Sequence, residues 1–255
     1  MFDYANRTAL TTGASSGIGE AFARRLAAKG MHLVLVARTE SSLQAIADDL
    51  ETRHHIRTTV IPLDLAHPDA IQQIHRVLSD GELTIDLLVN NAGFGTSGSF
   101  ATIDPAHERA EILVNVLAVA DLCHLLAPGM VARGYGGIVN LASIAALQPV
   151  PYMAVYAATK SFVLSFSEAL HVELANTGVH VLGLCPGPTS TKFFATANVV
   201  RLGAMPGMSM RSPDQVVETA LKALRLWKRP SRRWRGTSRR LSTGHCSPSP
   251  RDWAS

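Results

Sequence analysis

Apolar residues follow two alternating rhythms along most of this chain. Short, nearly unbroken apolar runs alternate with stretches in which apolar positions recur every three or four residues. The runs Thr8 to Thr12, His32 to Ala37 (H-L-V-L-V-A), Thr58 to Leu65, Asp86 to Asn90, Gly137 to Ala142 and His180 to Cys185 predict six strands. Between the second and third, Leu43, Ile46, Ala47 and Leu50 keep the i, i+3, i+4, i+7 spacing of a helix with one buried face. A first helix is expected over about Ile18 to Lys29, ended by Gly30, and a long one over Tyr152 to Asn176, closed by Gly178. Asp104-Pro105 reads as a cap followed by a first-turn proline. Ser212-Pro213-Asp214-Gln215 reads as a capping box opening a last helix that runs to about Trp227.

Strands such as L-V-L-V are apolar at every position, so both of their faces must be covered. That is the condition of a parallel sheet with helices on each side. The expected fold class is α/β, a doubly wound parallel sheet flanked by helices, forming a single domain over residues 1–228. In such sheets ligands bind beyond the carboxyl ends of the strands, so the chemistry is expected in residues that directly follow a strand.

Past residue 228 the pattern stops. Residues 229–255 hold seven arginines and one acid, Asp252, a net of +6, whereas the rest carries 17 basic and 19 acidic groups, a net of −2. The overall charge of +4 therefore belongs to the tail, and the body has no basic footprint for nucleic acid. The tail is rich in Arg, Ser and Pro and is expected to be solvated and disordered rather than an RNA or membrane handle. No unbroken apolar run approaches the ~18 residues of a membrane helix, and the first residues lack the apolar stretch of a signal peptide. The expected setting is the cytoplasm, with no membrane partner. Cys123, Cys185 and Cys246 lie far apart, which suggests neither a disulfide framework nor a zinc site, and no metal is expected.

Between the first strand and first helix stands T-G-A-S-S-G-I-G, Thr12 to Gly19. Gly13 would permit a sharp turn. Gly17 and Gly19 would let the backbone approach a pyrophosphate at the helix N-terminus. Arg38 directly follows the second strand. A ribose 2′-phosphate calls for a cation there and a free 2′-hydroxyl for an acid, so Arg38 leans toward NADP, with Glu40 as the rival contact for an unphosphorylated ribose. Asp64 ends the third run and suits either an adenine amino group or the start of the following helix.

Tyr156 and Lys160 lie four apart on one predicted helix and so share a face. A free phenol ionises near pH 10 and is a poor acid or base at neutrality. An ammonium within about 4–6 Å would favour the phenolate and lower that value. Ser143 follows the fifth strand and is placed to hold a substrate oxygen.

Taken together, these motifs resemble the short-chain dehydrogenase/reductase family over about residues 5–228. T-G-A-S-S-G-I-G is similar to its cofactor turn, and Asn90-Asn91-Ala92-Gly93 to its N-N-A-G after the fourth strand. Asn115 falls in a helix, as does the family's catalytic asparagine. Ser143 precedes Tyr156 by the usual 13 residues, and Pro186-Gly187-Pro188-Thr189 resembles the turn that holds the nicotinamide amide. The resemblance implies a Rossmann-type sheet with a catalytic set of Asn115, Ser143, Tyr156 and Lys160. Tyr156 would be general acid in reduction and base in oxidation, Lys160 would bind the nicotinamide ribose, and Asn115 would hold a relay water. Cofactor contacts would come from Gly13, Ser15, Ser16, Gly17, Ile18, Gly19, Arg38, Asp64, Leu65, Asn91, Ala92, Gly93, Tyr156, Lys160, Pro186, Gly187 and Thr189, with Asn91 on the adenosine ribose side. One departure is plain: the family has a seventh strand after the last helix, and residues 229–255 show no period-2 apolar run.

The expected activity is hydride transfer between NADP, less readily NAD, and a carbonyl or secondary alcohol. The competing class is a cofactor-binding sensor without chemistry, which would be expected to lack one of Tyr156, Lys160 or Ser143. Phe193, Phe194, Met205, Met208 and Met210 cover the expected pocket and suggest an apolar small molecule. A homo-oligomer is expected.

Overall fold

The computed structural model describes residues 2–193 and 210–225. Six strands, β1 (Thr8–Thr12), β2 (His32–Ala37), β3 (Thr58–Pro62), β4 (Leu87–Asn90), β5 (Gly136–Leu141) and β6 (Val179–Leu184), pair in parallel in the order β3-β2-β1-β4-β5-β6. Among the described residues the helices are α1 (Gly17–Ala27), α2 (Glu40–His54), α3 (Ala70–Asp80), α4 (Pro105–Ile112), α5 (Ala118–Arg133), α6 (Ala154–Glu173) and α7 (Pro213–Arg225). Phe22 and Leu26 of α1, Leu43 of α2 and Val217 of α7 bury one face of the sheet. Ile74 of α3 and Leu122 and Met130 of α5 bury the other. Burial on both faces explains why β4 and β5 are sealed at every position.

The chain order reverses between β1 and β4. There the loops after two neighbouring strands diverge, and a crevice opens at their carboxyl ends.

The strand expectations hold to within a residue or so, with one exception. The third strand ends at Pro62, not Leu65, because its partner β2 ends at Ala37, whose carbonyl accepts a last bond from the Leu63 N–H at 2.9 Å. The long helix begins at Ala154 rather than Tyr152, which takes a left-handed φ of 66°. Both predicted caps form. Asp104 Oδ1 accepts from the Ala106 N–H at 2.9 Å, with Pro105 in the first turn. Ser212 and Gln215 bond reciprocally: Gln215 N–H donates to Ser212 Oγ at 3.2 Å and Ser212 N–H to Gln215 Oε1 at 3.0 Å. Trp227, Phe194, Met205, Met208, Cys246 and the tail 229–255, with the question of a seventh strand, lie outside the described residues.

One feature departs from the sequence reading. Pro105–Arg133 is a single helix of 29 residues, joined through a π turn at Leu113–Leu117, and an 18-residue window in it has a mean hydropathy of 1.8. By length and composition it is apolar enough to cross a membrane, although no unbroken apolar run marks it in the sequence. Its Leu122, Cys123 and Met130 are spent on the sheet.

Candidate active site

The glycine turn is set by contacts that admit no side chain. Gly13 takes φ 63°, and a Cβ on Gly19 would stand 2.2 Å from the Gly13 carbonyl oxygen and 2.4 Å from Asn91 Nδ2. The turn from β1 into α1 therefore closes on itself, and the α1 N-terminus opens onto the crevice. The Ser16 side chain caps none of the first-turn N–H groups. Ser15, Ser16, Gly17, Ser190 and Thr191 line this concavity together with the α1 residues Glu20 and Arg24. Free N–H groups at a helix start, with a backbone bare of side chains, are what a pyrophosphate requires. The residues present thus fit a dinucleotide.

Asn91 is committed to the scaffold. Its Nδ2 donates to the Thr12 oxygen at 2.8 Å and to the Gly13 oxygen at 3.2 Å, while the Asn91 and Ala92 N–H groups donate to Thr12 Oγ1 at 3.0 and 2.9 Å. The Asn91 side chain thus ties the β4 loop to the glycine turn. Arg38 is exposed at the end of β2, beside the exposed Glu40 that opens α2. Asp64 is exposed and accepts from the Ala66 N–H at 2.9 Å, which turns the loop locally; the cap position of α3 belongs to Asp69. Leu65 is half-buried in the same loop.

At the other end of the carboxyl edge, Asn115, Ser143, Tyr156 and Lys160 come together. Asn115 lies in the π turn and is fully buried. Its Nδ2 donates to the Phe94 oxygen at 2.8 Å and to Thr159 Oγ1 at 3.1 Å, and its Oδ1 accepts from the Phe94 N–H at 3.2 Å. Thr159 Oγ1 in turn donates to the Tyr156 carbonyl at 2.8 Å. A one-turn π bulge in a long helix is a frequent mark of a functional residue. Gly93 belongs to this cluster: a Cβ there would lie 2.9 Å from Asn115 Oδ1 and 3.2 Å from Lys160 Nζ.

Lys160 is buried and its Nζ donates to the Leu141 carbonyl at 2.8 Å. Burial pulls its ammonium down to about 8. Tyr156 is buried as well, 8% exposed, with Lys160 Nζ 5.9 Å from its ring centre. Burial pushes the phenol up to about 12, with the Ser143 hydroxyl working in the opposite direction. Burial of the ring thus acts against the lowering expected from Lys160, and the phenol is neutral near pH 7. Ser143 starts the short 3₁₀ turn Ile144–Leu147, its Oγ accepting from the Ala145 N–H at 3.1 Å.

The Pro186–Thr189 turn closes the crevice. The Ile144 N–H donates to the Pro186 oxygen at 3.2 Å, Thr189 Oγ1 donates to the Gly187 oxygen at 2.9 Å, and Thr189 bridges to Arg211. Phe193 lies 5.2 Å from the Tyr156 ring, centre to centre, whereas Met210 is exposed. Several partners of the site were not foreseen: Phe94, Thr96, Glu111 and Thr159. A buried chain from Asn90 Nδ2 to Asn140 Oδ1 (2.9 Å), and from Asn140 Nδ2 to Ser167 Oγ (2.9 Å), also pins β4, β5 and α6 beneath it. An asparagine near the carboxyl end of each of two apolar strands was its only signal in the sequence.

A short chain dehydrogenase family model matches residues 7–200. The human very-long-chain 3-oxoacyl-CoA reductase is 32% identical over 225 residues, spanning 87% of this chain and 69% of that protein. A short-chain dehydrogenase from Sphingobium yanoikuyae, solved in complex with NADPH, superposes with a TM-score of 0.80 at 34% identity, covering 86% of this chain and 84% of that one. A short chain dehydrogenase/reductase from Burkholderia phymatum, solved in complex with NAD, does so with a TM-score of 0.78 at 27% identity, covering 88% of each.

Proposed function

Because the chain belongs to the short-chain dehydrogenase/reductase family, NAD(P)-dependent oxidoreductases acting on CH–OH groups, we propose that it is an NADP-preferring reductase of apolar carbonyl compounds. The observation that carries this reading is the buried, neutral Tyr156 phenol set beside Ser143, Lys160 and Asn115 at the carboxyl edge of the sheet. When bound, the reduced dinucleotide supplies the hydride. The protein does the rest. Ser143 Oγ holds the carbonyl oxygen, and Tyr156 gives that oxygen its phenolic proton as negative charge develops. Lys160 restrains the ribose and places a positive charge behind the phenol. Asn115 keeps α4, α6 and the loop after β4 in register around them.

The NADP preference rests on Arg38, an exposed cation at the end of β2 where a 2′-phosphate would lie, and the similar Sphingobium protein was solved with NADPH. An apolar substrate is supported by Phe193 against Tyr156. It is supported also by a cavity of about 250 Å³ between the β4 loop and the segment before α6, lined by Phe100, Ile103, Pro151 and Tyr152 among others. Phe100 and Tyr152 are 71% and 69% exposed, an unusual cost for aromatic rings unless something covers them. Leu117 in the π turn and Phe162 and Val172 on α6 are exposed apolar side chains that support self-association.

The test is a cofactor-consumption screen of the purified protein, with NADPH and NADH in parallel, across aliphatic and aromatic ketones, 3-oxoacyl thioesters and polar hydroxyketones. Oxidation of NADPH by the apolar group is expected. Tight NADPH binding with no oxidation by any carbonyl would replace this reading with that of a sensor.

A further inference from the structure

Two buried side chains of opposite charge belong to this site, and the chemistry above uses only one of them. Lys160 stands on α6; Glu111, with no exposed surface at all, stands on α4, which packs against α6. Glu111 lies one helical turn before Asn115, whose side chain bonds to Thr159, the neighbour of Lys160. One carboxylate oxygen of Glu111 is fully engaged: Oε2 accepts from the Thr96 N–H at 2.9 Å and from Thr96 Oγ1 at 2.7 Å. The other, Oε1, is buried without a hydrogen-bond partner. Lys160 Nζ likewise spends one of its three protons on the Leu141 carbonyl.

An unpartnered carboxylate oxygen inside a protein is costly, and so is a lone ammonium; each relieves the other when they lie within reach of one another's field. If a clamp on Thr96 were all that was needed, a neutral amide would do it without a buried charge.

We propose that Glu111 is a positioning residue that acts through Lys160: its carboxylate is the buried counter-charge that keeps the Lys160 side chain an ammonium. The groups facing the pair agree in direction. Burial lowers Lys160, and Glu111 on α4 and Cys185 after β6 oppose that fall. Burial raises Glu111 to about 6, and Glu108 on its own helix adds to the rise, whereas Thr96 and the charge of Lys160 work against it. Glu111 also adds to the rise of Tyr156 on α6. The same carboxylate therefore holds both Lys160 and Tyr156 in their protonated forms, the state that carbonyl reduction needs. The catalytic meaning of the pair rests on the reductase reading; the pairing itself does not.

The experiment titrates Lys160 directly in the full chain. Lysines are labelled with carbon-13 at the ε position, the Lys160 signal is identified by its loss in Lys160→Met, and its chemical shift is followed against pH in the wild type and in Glu111→Gln. Glutamine keeps an acceptor for Thr96 and removes the charge. The Lys160 midpoint is expected to fall by about one pH unit in the variant. The wild-type curve should also carry a second, smaller inflection near pH 6, where Glu111 itself ionises. If Glu111→Gln does not fold, that wild-type inflection decides the matter alone. The alkaline limb of kcat/KM for reduction should move down by the same amount as the Lys160 midpoint. An unmoved midpoint, or a wild-type curve without the inflection, overturns the pairing. A moved midpoint in a protein that reduces no carbonyl upholds the pairing and retires the reductase reading.

Discussion

The two ends of the crevice are built on opposite principles. After β2 and β3 the charged residues Arg38, Glu40 and Asp64 are exposed, two of them on loops and Glu40 at the start of α2. After β4, β5 and β6 the polar residues Asn115, Lys160, Glu111 and Tyr156 are buried, and the hydrogen bonds around them come from α4, the π turn, α6, β5 and the β4 loop. A charge at the first end costs little to place and little to change, because water supports it. At the second, each charge must be met by a partner, so the packing of several elements determines what the residue can do. Choice of nucleotide would thus be separable from the fold, and the chemistry would not.

The sharpest break of this comparison would come from exchanging the effects of one residue from each end. Ser143→Ala removes the donor to the developing oxyanion and should lower turnover at saturating cofactor by about 10²–10³ while leaving the NADPH dissociation constant unchanged. Arg38→Ala should do the reverse. It is expected to weaken NADPH binding roughly 10- to 150-fold, with NADH binding and the saturated rate unaffected, as read by fluorescence titration and steady-state kinetics. A saturated rate that fell with Arg38, or NADPH affinity that fell with Ser143, would dissolve the distinction.

A stability measurement sharpens it. The folded Glu111 carboxyl stands at about 6 against an ordinary value of 4.5. The folded state therefore holds this proton more tightly than the unfolded chain does. Its stabilising share is complete below about 4.5 and is lost as pH rises through about 6. In urea unfolding across that window, wild type should lose about 2 kcal/mol relative to Glu111→Gln. The smallest effect belongs to an exposed contact, the Arg25–Asp214 ion pair between α1 and α7 at 2.9 Å. Asp214→Ala should change stability by less than ~1 kcal/mol in the same assay.

The same division governs how much could be read from the sequence. The strands, the glycine turn and the two caps follow from periodicity and from residues whose backbone demands are local: Gly13, Asp104-Pro105, Ser212 with Gln215. The candidate catalytic residues Ser143, Tyr156 and Lys160 were legible as motifs, because Ser143 follows a strand and the other two share a helix face. Their electrostatics were not. Spacing places Tyr156 near Lys160, but only the packed structure shows that the ring is buried and that burial raises the phenol. Glu111 sits in E-R-A-E-I-L-V-N, where a helical pattern marks it as neither inward nor outward, and its burial depends on Thr96 from a separate loop. The scaffold bonds of Asn91 were hidden for a related reason: its partners, Thr12 and Gly13, are distant in sequence and meet it only across the β1–β4 pair. The π turn at Asn115 has no sequence signature of its own.

Delivery of the proton by the Tyr156 phenol during carbonyl reduction is read out by Tyr156→Phe, because the ring stays and only the oxygen and its proton go. The measurement is the single-turnover rate of NADPH oxidation by the best ketone from the screen, with the NADPH dissociation constant determined alongside. The rate is expected to fall by roughly 10²–10⁴ with cofactor affinity intact; a Tyr156→Phe protein that oxidises NADPH at the wild-type rate would show that the phenol is not the proton donor.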